Sequence, residues 1–141
     1  MRHIGILGFL LVLGAASSGL SADHPRPKKP RLDLRASPRM AFSPVNILLN
    51  AELQGGDDIE DFHCPEVEWD WDDGGKSVRE SDCAPLETGA ALERRFSASH
   101  AYRQAGTDNV KVTMRRAERP LAVASAIITV RPGLGDMSSI D

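Results

Sequence analysis

The feature that most constrains this chain is the segment Val-Glu-Trp-Asp-Trp-Asp-Asp-Gly-Gly at residues 67–75. Within it, the apolar residues Val67, Trp69 and Trp71 alternate with acidic residues. Successive side chains of a β-strand point to opposite faces, so this alternation predicts a strand with one buried and one solvated face. The Asp73-Gly74 pair is a typical turn sequence. The segment therefore predicts a β-strand that runs into a tight turn.

Three further segments carry strand patterns. Residues 45–53 alternate apolar and polar side chains and end at a Gln-Gly-Gly turn signal. Residues 110–115 alternate in the same way, which places Thr113 toward solvent. Residues 121–130 are apolar on both faces, which indicates a central or covered strand, and Glu-Arg-Pro at 118–120 is expected to form the preceding hairpin turn. Several short strands separated by turn signals predict an all-β sandwich.

The first 22 residues have the organisation of a secretory signal peptide. Arg2 precedes an uncharged apolar run from Ile4 to Leu13, and small residues follow up to Ala22. The run is shorter than the ~20 apolar residues that span a bilayer. We therefore expect a secreted or periplasmic protein whose mature part has no membrane span. A retained anchor or a buried strand is the alternative.

The mature chain is expected to begin with a flexible linker at residues 23–31. Pro25, Pro27 and Pro30 lie there among four basic residues, and prolines at alternate positions oppose both helix and sheet. The basic run could contact an acidic surface, but a tether is the simpler interpretation. One domain is expected at residues 32–132, followed by a disordered tail at 133–141.

The charge balance is mildly acidic. The chain has 17 basic and 20 acidic residues, for a net charge of −3. Nucleic-acid binding rewards a strong basic excess, so nucleic acid is not expected as a partner. We expect a monomer.

The two cysteines, Cys64 and Cys83, both lie in the mature part. In an oxidising compartment an even pair is read as a disulfide. It would stabilise the fold by roughly 3 kcal/mol through the closed loop. The alternatives are a catalytic thiol or a metal site, and a metal would need more ligands than the cysteines and the adjacent His63.

The secondary structure of residues 90–104 is ambiguous from propensity. The segment contains good helix formers, and Leu92 and Phe96 are spaced as on one helix face. The same two residues would also share one face of a strand, although Arg94 would then fall between them on that face. Propensity alone favours a helix.

The order of several motifs resembles the PKD domain, a family of immunoglobulin-like β-sandwiches in extracellular proteins. Trp-Asp-Trp-Asp-Asp-Gly at 69–74 is similar to the family's aromatic-x-Trp-x-Phe-Gly-Asp-Gly strand and turn. Ser-His-Ala-Tyr at 99–102, followed by Gly106, is similar to its Ser/His-x-Tyr corner. Residues 110–114 and 124–130 resemble its closing strands.

The resemblance covers residues 32–132 and implies a sandwich of about seven strands. It implies a strand, not a helix, at 92–97 and a corner at 99–106. The connection at 76–91 is longer than usual, and Asp72 stands where the family usually has Gly. The resemblance implies that the fold motif consists of Trp69, Gly74, His100, Tyr102 and Gly106. It also implies that the Tyr102 hydroxyl bonds the backbone.

Trp71 has two interpretations. It shares the parity of Trp69, which favours burial in the core, whereas an exposed indole would offer a stacking platform for a sugar ring. Asp72 and Asp73 at the end of the same strand are candidate ligand-binding residues beside it.

The acidic residues Asp57, Asp58 and Asp61 precede the tryptophan strand. Clustered carboxylates can hold Ca²⁺, which takes six to eight oxygen ligands. A structural Ca²⁺ is therefore one interpretation, although no EF-hand pattern is present. The other is a solvated face whose carboxylates pair with arginines on neighbouring strands. No other cofactor is expected.

The sequence contains no motif of a serine hydrolase, a zinc protease or a phosphate-binding loop. We therefore expect a non-catalytic, PKD-like extracytoplasmic domain that mediates adhesion by binding a protein or a cell-surface polysaccharide. A carbohydrate-binding module that uses Trp71 is the first alternative, and a small secreted hydrolase is the second.

Overall fold

Alternating apolar side chains produce the strands of this protein, as described by a computed structural model of residues 25–135. The described residues form eight β-strands and a short 3-10 helix at Glu60–Phe62. The strands are β1 Arg31–Ser37, β2 Met40–Phe42, β3 Val45–Gln54, β4 Glu66–Asp70, β5 Lys76–Arg79, β6 Arg95–Tyr102, β7 Gly106–Arg116 and β8 Arg119–Arg131.

The strands form two sheets that pack face to face. The smaller sheet has the order β1-β3-β6 and the larger has the order β2-β8-β7-β4-β5. Neighbouring strands are antiparallel except for β2 and β8, which are parallel. β1 and β2 are separated only by residues 38–39, so the chain changes sheet there. The expected all-β sandwich is confirmed. It has eight strands and not about seven, because the first stretch is divided into β1 and β2, which lie in different sheets.

The core lies between the sheets and is built from the inward residues of each strand. Ile47 and Leu49 on β3 face Val110, Val112 and Met114 on β7, and all five are at most 1% exposed. Trp69 on β4 is also buried. The alternation seen in the sequence therefore reports correctly which face of these strands is buried.

Thr113 does not follow its expected exposure. It is only 5% exposed although it lies on the outer face of β7. β7 is a central strand, and Thr113 lies between Glu68 on β4 and Val123 on β8. A side chain with neighbours on both flanking strands is less accessible to solvent than one on an edge, an effect that the pattern of one strand does not contain.

The segment at 90–104 forms a strand and not a helix. β6 pairs along its whole length with β3, from Glu52 opposite Arg95 to Val45 opposite Tyr102. The strand begins later than expected, at Arg95, and runs through the residues expected to form the corner. The corner is therefore limited to residues 103–105. Pairing with a central strand outweighs local helix propensity here.

The last hairpin turns earlier than expected. Its turn lies at Ala117 and Glu118, and β8 already begins at Arg119. Ala117 has a φ of 51°, in the left-handed region that a tight turn requires.

The two ends of the chain are described in part. The expected signal peptide at 1–22 and the first residues of the linker lie outside the described residues, as does the tail from residue 136. Residues 25–30 have no regular structure, and Pro30 is buried. Gly133 is buried and donates its N–H to Ser43 Oγ at 3.0 Å, so it belongs to the domain and not to the tail. No helix within residues 25–135 is long and apolar enough to cross a membrane.

Cys64 and Cys83 form the expected disulfide, with Cα atoms 6.1 Å apart. The bond joins the residues just before β4 to the irregular loop that follows β5.

Replacing both cysteines with serine should lower the free energy of unfolding by about 3 kcal/mol, because the unfolded chain regains the freedom of the closed loop. Urea unfolding followed by tryptophan fluorescence measures this change. The wild-type protein treated with a reductant should shift its midpoint by the same amount. An unchanged midpoint in both samples would show that the loop adds nothing to stability.

Candidate functional site

Trp71 is a core residue. Only 1% of it is exposed. Its ring stacks on His100 at a centroid distance of 4.6 Å and on Trp69 at 5.9 Å, and its Nε1–H donates to Ser77 Oγ at 3.0 Å. A ring without an exposed face offers no surface to a sugar, so the interpretation of Trp71 as a carbohydrate platform is wrong.

The turn after β4 is built by its own carboxylates. Asp70 accepts the backbone N–H of Asp72 at 3.2 Å, and Asp73 accepts that of Gly75 at 2.9 Å. The first of these bonds is the main cause that lowers the pKa of Asp70. Gly74 has a φ of 90°, which glycine adopts at no steric cost.

Asp72 stands where PKD domains usually have Gly, and its contacts show what an aspartate adds at this position. Its φ is 63°, in the left-handed region that Asp tolerates better than most residues. Its carboxylate also accepts the backbone N–H of Asn109 on β7 at 2.8 Å. The turn is therefore attached to a second strand, which a glycine could not do.

The residues of the expected corner meet this turn. The Tyr102 hydroxyl donates to the Trp71 carbonyl at 2.9 Å, and His100 Nε2 lies 2.6 Å from Asp73 Oδ2. This contact with His100 is the main cause that lowers the pKa of Asp73, while burial raises the pKa of Tyr102. The structure thus joins β6 of the small sheet to the turn of the large sheet.

Asp108 lies beside this cluster, and no side chain within residues 25–135 forms an ion pair with it. Burial raises its pKa, and the nearby charges of Asp72 and Asp73 add to the effect. Asp73, Tyr102, Arg103 and Asp108 line an open depression of about 420 Å³. Gly106, the remaining motif residue, begins β7 beside it.

The segment considered for Ca²⁺ makes other contacts. The backbone N–H groups of Asp57 and Asp58 both bond the Lys28 carbonyl, and the Asp61 carboxylate accepts from Arg119 at 2.6 Å. Within residues 25–135, no group of three or more His, Cys, Asp or Glu residues is placed to hold a metal ion. Asp61 therefore follows the other interpretation of this segment, in which its carboxylates pair with arginines on neighbouring strands.

A second group of contacts lies at the opposite end of the sandwich, which we call the disulfide pole. We define it as the loops at 55–65 and 80–94 together with the hairpin turn at 117–118. The Cys64–Cys83 bond joins the two loops, and His63 Nε2 bonds the Ala84 carbonyl at 2.8 Å.

Arg116 orders the first of these loops. Its guanidinium donates to the backbone carbonyls of Asp61 and His63, each at 3.0 Å, and of Glu60 at 3.3 Å. A guanidinium presents its donors in a planar fork, so one side chain fixes a turn of the loop.

The 80–94 loop is anchored at its ends and exposed between them. Arg79 and Glu93 form a two-point ion pair at 2.9 and 3.2 Å, and Arg94 donates to the Gly55 carbonyl at 2.9 Å. Every residue from 80 to 91 is exposed. The loop borders an open depression of about 600 Å³, whose lining includes Glu60, His63, Leu86, Glu87 and Arg116.

The sequence contained a partial signal for this site. The connection at 76–91 is unusually long and contains Cys83, and His63 precedes Cys64 directly. The role of Arg116 was missed, because an arginine at the end of an alternating strand does not reveal that its partners are carbonyls of a loop that lies distant in sequence.

The fold and these contacts define an immunoglobulin-like β-sandwich of the PKD type. Neither family models nor curated proteins match the chain. Among solved structures it is similar to the PKD domain of an M14-like peptidase from Thermoplasmatales archaeon SCGC AB-540-F20, with a TM-score of 0.52 and 16% identity. The match covers 76% of this chain and 99% of that one, and at this identity it concerns the fold alone.

Tyr102→Phe should lower the free energy of unfolding by about 1–3 kcal/mol, because the buried Trp71 carbonyl loses its donor. Urea unfolding measures the loss. Ser97→Ala on the same strand removes an exposed hydroxyl that donates to Asn50, and should change stability by less than about 0.5 kcal/mol. Equal effects of the two variants would contradict the proposed importance of the buried bond.

Asp108→Asn should raise the melting temperature at pH 7. The folded-state pKa of Asp108 is raised, so its ionised form destabilises the fold, and the gain is full above that pKa. The gain should shrink as the pH falls and vanish below the unfolded pKa of about 3.9. Calorimetry across this range tests the prediction, with exposed Asp82→Asn as the control. A gain that does not depend on pH would contradict it.

Proposed function

We propose that this chain is a non-catalytic, extracytoplasmic binding domain that engages a protein partner through the loops of the disulfide pole. The observation that carries the proposal is the exposed 80–94 loop, which is cross-linked to the 55–65 loop beside an open depression. Irregular loops of this length are uncommon in compact domains and are usually either functional or disordered. The disulfide and the His63 bond to Ala84 hold this one in place, which favours a function.

The pole combines exposure with order. The disulfide, the His63 bond to Ala84 and the three Arg116 bonds hold the loops before any partner arrives. A surface that is already ordered loses less entropy on binding. The same pole contains the β3–β4 and β7–β8 connections, which correspond in an immunoglobulin-like sandwich to loops that antibodies use for recognition.

The chemistry of the depression favours a protein over a polysaccharide. Leu86 is 36% exposed at its border, and Glu60, Glu87 and Arg116 add charges of both signs. Both tryptophans of the chain are buried, so they are not available for stacking on sugars. An apolar contact surrounded by mixed charge is typical of protein interfaces.

The histidines support a non-catalytic role. Within residues 25–135, His63 bonds a backbone carbonyl, while His100 bonds Asp73 and stacks on Trp71. A general base must reach the proton of a substrate or a nucleophile. Both rings are instead used to attach one segment of the domain to another.

The compartment follows from the disulfide and the leader. A disulfide fits an oxidising compartment, and the first 22 residues have the pattern of a signal peptide. Secretion or export to a periplasm is therefore part of the proposal.

Leu86→Asp should weaken partner binding about tenfold or more if Leu86 is a central contact of the interface. The protein, expressed from its full sequence and immobilised, is exposed to surface and secreted proteins of its source. A captured protein is identified by mass spectrometry, purified and measured by calorimetry with both variants.

Leu48→Asp is the matched control, because Leu48 is 44% exposed on the outer face of β3, outside the disulfide pole. Equal weakening by the two variants, or none by Leu86→Asp, would place the interface elsewhere. Retention of the wild-type protein on a polysaccharide and not on a protein would overturn the choice of partner.

A further inference from the structure

The disulfide of the disulfide pole is open to solvent on one side. Cys83 is exposed, and it lies in a stretch, residues 80–91, in which every residue is exposed. Cys64 is only partly exposed, and its neighbours Phe62 and Pro65 are buried. A thiol in solution therefore reaches the bond from the side of Cys83. Exposed disulfides are reduced more readily than buried ones, and regulatory disulfides belong to this class.

The backbone of Cys64 is a second feature that favours reduction. Its φ is 48°, in the left-handed region, which is unfavourable for residues other than glycine. The Ser81 hydroxyl donates to the Cys64 carbonyl, so the loop that the disulfide attaches also helps to hold this conformation. When the bond is broken, Cys64 is free to relax. Relief of an unfavourable conformation makes a disulfide easier to reduce.

The 55–65 loop has attachments that do not depend on the disulfide. Arg116 donates to three of its backbone carbonyls, and the Asp61 carboxylate accepts from Arg119. Both arginines belong to the β7–β8 hairpin of the large sheet. This loop should therefore stay in place when the disulfide is reduced.

The exposed stretch at 80–91 has no such independent attachment. Its hydrogen bonds to the other loop are formed by Ser81 and by the Ala84 carbonyl, each within two residues of Cys83. Within the described part of the chain, the next bond from this stretch onward to another segment is the ion pair of Glu93 with Arg79. Reduction should therefore release residues 80–91 and leave the rest of the domain folded.

We propose that the Cys64–Cys83 bond is a redox switch that controls partner binding at the disulfide pole. The proposal rests on the function proposed above, in which Leu86 is a contact of the interface. Leu86 is three residues from Cys83, so the oxidised bond restricts where it lies. A segment that must become ordered on binding lowers the affinity. The oxidised protein is therefore the binding form, and the reduced protein is the released form.

The reductant of this switch is a dithiol. One of its thiolates attacks the sulfur of Cys83, the bond between the two sulfurs breaks, and Cys64 leaves as a thiolate that takes up a proton. The second thiol of the reductant attacks the mixed disulfide and releases Cys83, which is protonated in turn. The protein disulfide gains two electrons and two protons, and the dithiol is oxidised to a disulfide.

Limited proteolysis tests the release of the loop without a partner. The protein expressed from its full sequence is reduced with dithiothreitol under native conditions, and its free thiols are counted by alkylation and mass spectrometry. A glutamate-specific protease should then cleave after Glu87 about tenfold faster or more, because local opening exposes this stretch to cleavage. Cleavage after Glu60, in the loop that Arg116 holds, should change little.

Two results of this experiment would overturn the proposal. The first is a disulfide that millimolar dithiothreitol leaves intact in the folded protein. The second is equal acceleration after Glu60 and Glu87, or loss of the tryptophan fluorescence of the folded state, since either would show that the bond holds the whole domain and not one loop.

The double variant Cys64→Ser, Cys83→Ser is the matched control. Without any reductant it should give the cleavage pattern of the reduced protein, and dithiothreitol should not change that pattern. A double variant that keeps the slow cleavage of the oxidised protein would contradict the switch, because the loop would then be held without the bond.

Calorimetry with the partner identified for the disulfide pole tests the effect on binding. The reduced protein and the double cysteine variant should each bind about tenfold more weakly or worse than the oxidised protein. The oxidised Leu86→Asp variant separates this proposal from the one on which it rests. If Leu86→Asp weakens binding and reduction does not, the switch is wrong and the interface stands. If reduction weakens binding and Leu86→Asp does not, the switch stands and the placement of Leu86 in the interface is wrong.

Discussion

The hydrogen bond from the Tyr102 hydroxyl to the Trp71 carbonyl connects the two sheets of this domain. Tyr102 ends β6 in the small sheet, and Trp71 follows β4 in the large one. His100, two residues before Tyr102, stacks on the same indole and bonds Asp73. A buried carbonyl is costly to leave unpaired, so the same contacts stabilise the turn, the tryptophan and the corner together.

This arrangement separates the two ends of the sandwich by role. At the corner end, Asp72 and Asp73 are occupied by bonds to Asn109 and His100. Burial raises the pKa of the neighbouring Asp108, and the charges of Asp72 and Asp73 add to this effect. Acidic residues that seemed available for a ligand are thus used to hold the turn. At the disulfide pole, the bonds order the loops but leave their middle exposed, which is the condition that recognition requires.

The features of this fold that depend on neighbouring residues can be predicted from the sequence, whereas those that depend on residues distant in the chain cannot. Alternation in β4 and β7 shows the direction of each side chain, so the sequence alone predicts correctly which residues of these strands face the core. β6 is ambiguous from the sequence because its strand state comes from pairing with β3, whose partner residues lie 43 to 57 positions away in the chain. Asp61 follows the interpretation in which the acidic residues pair with arginines, but its partner could not be named from the sequence, because Arg119 lies on β8, 58 residues away. The shape of the disulfide pole depends on Arg116 and distant carbonyls, which no local pattern describes.

The sequence pattern of β8 predicts that both of its faces are covered, and the structure covers only one of them. A strand that is apolar on both faces is expected to be central or covered, and residues 121–130 are of this kind. In the single chain, β2 covers only the last three residues of this edge, and Val123 and Ile127 remain more than half exposed. The expectation of a covered strand therefore holds on the inner face, where Ala126, Ile128 and Val130 are buried, and fails on the outer face, because the polarity of a side chain does not report what lies above it.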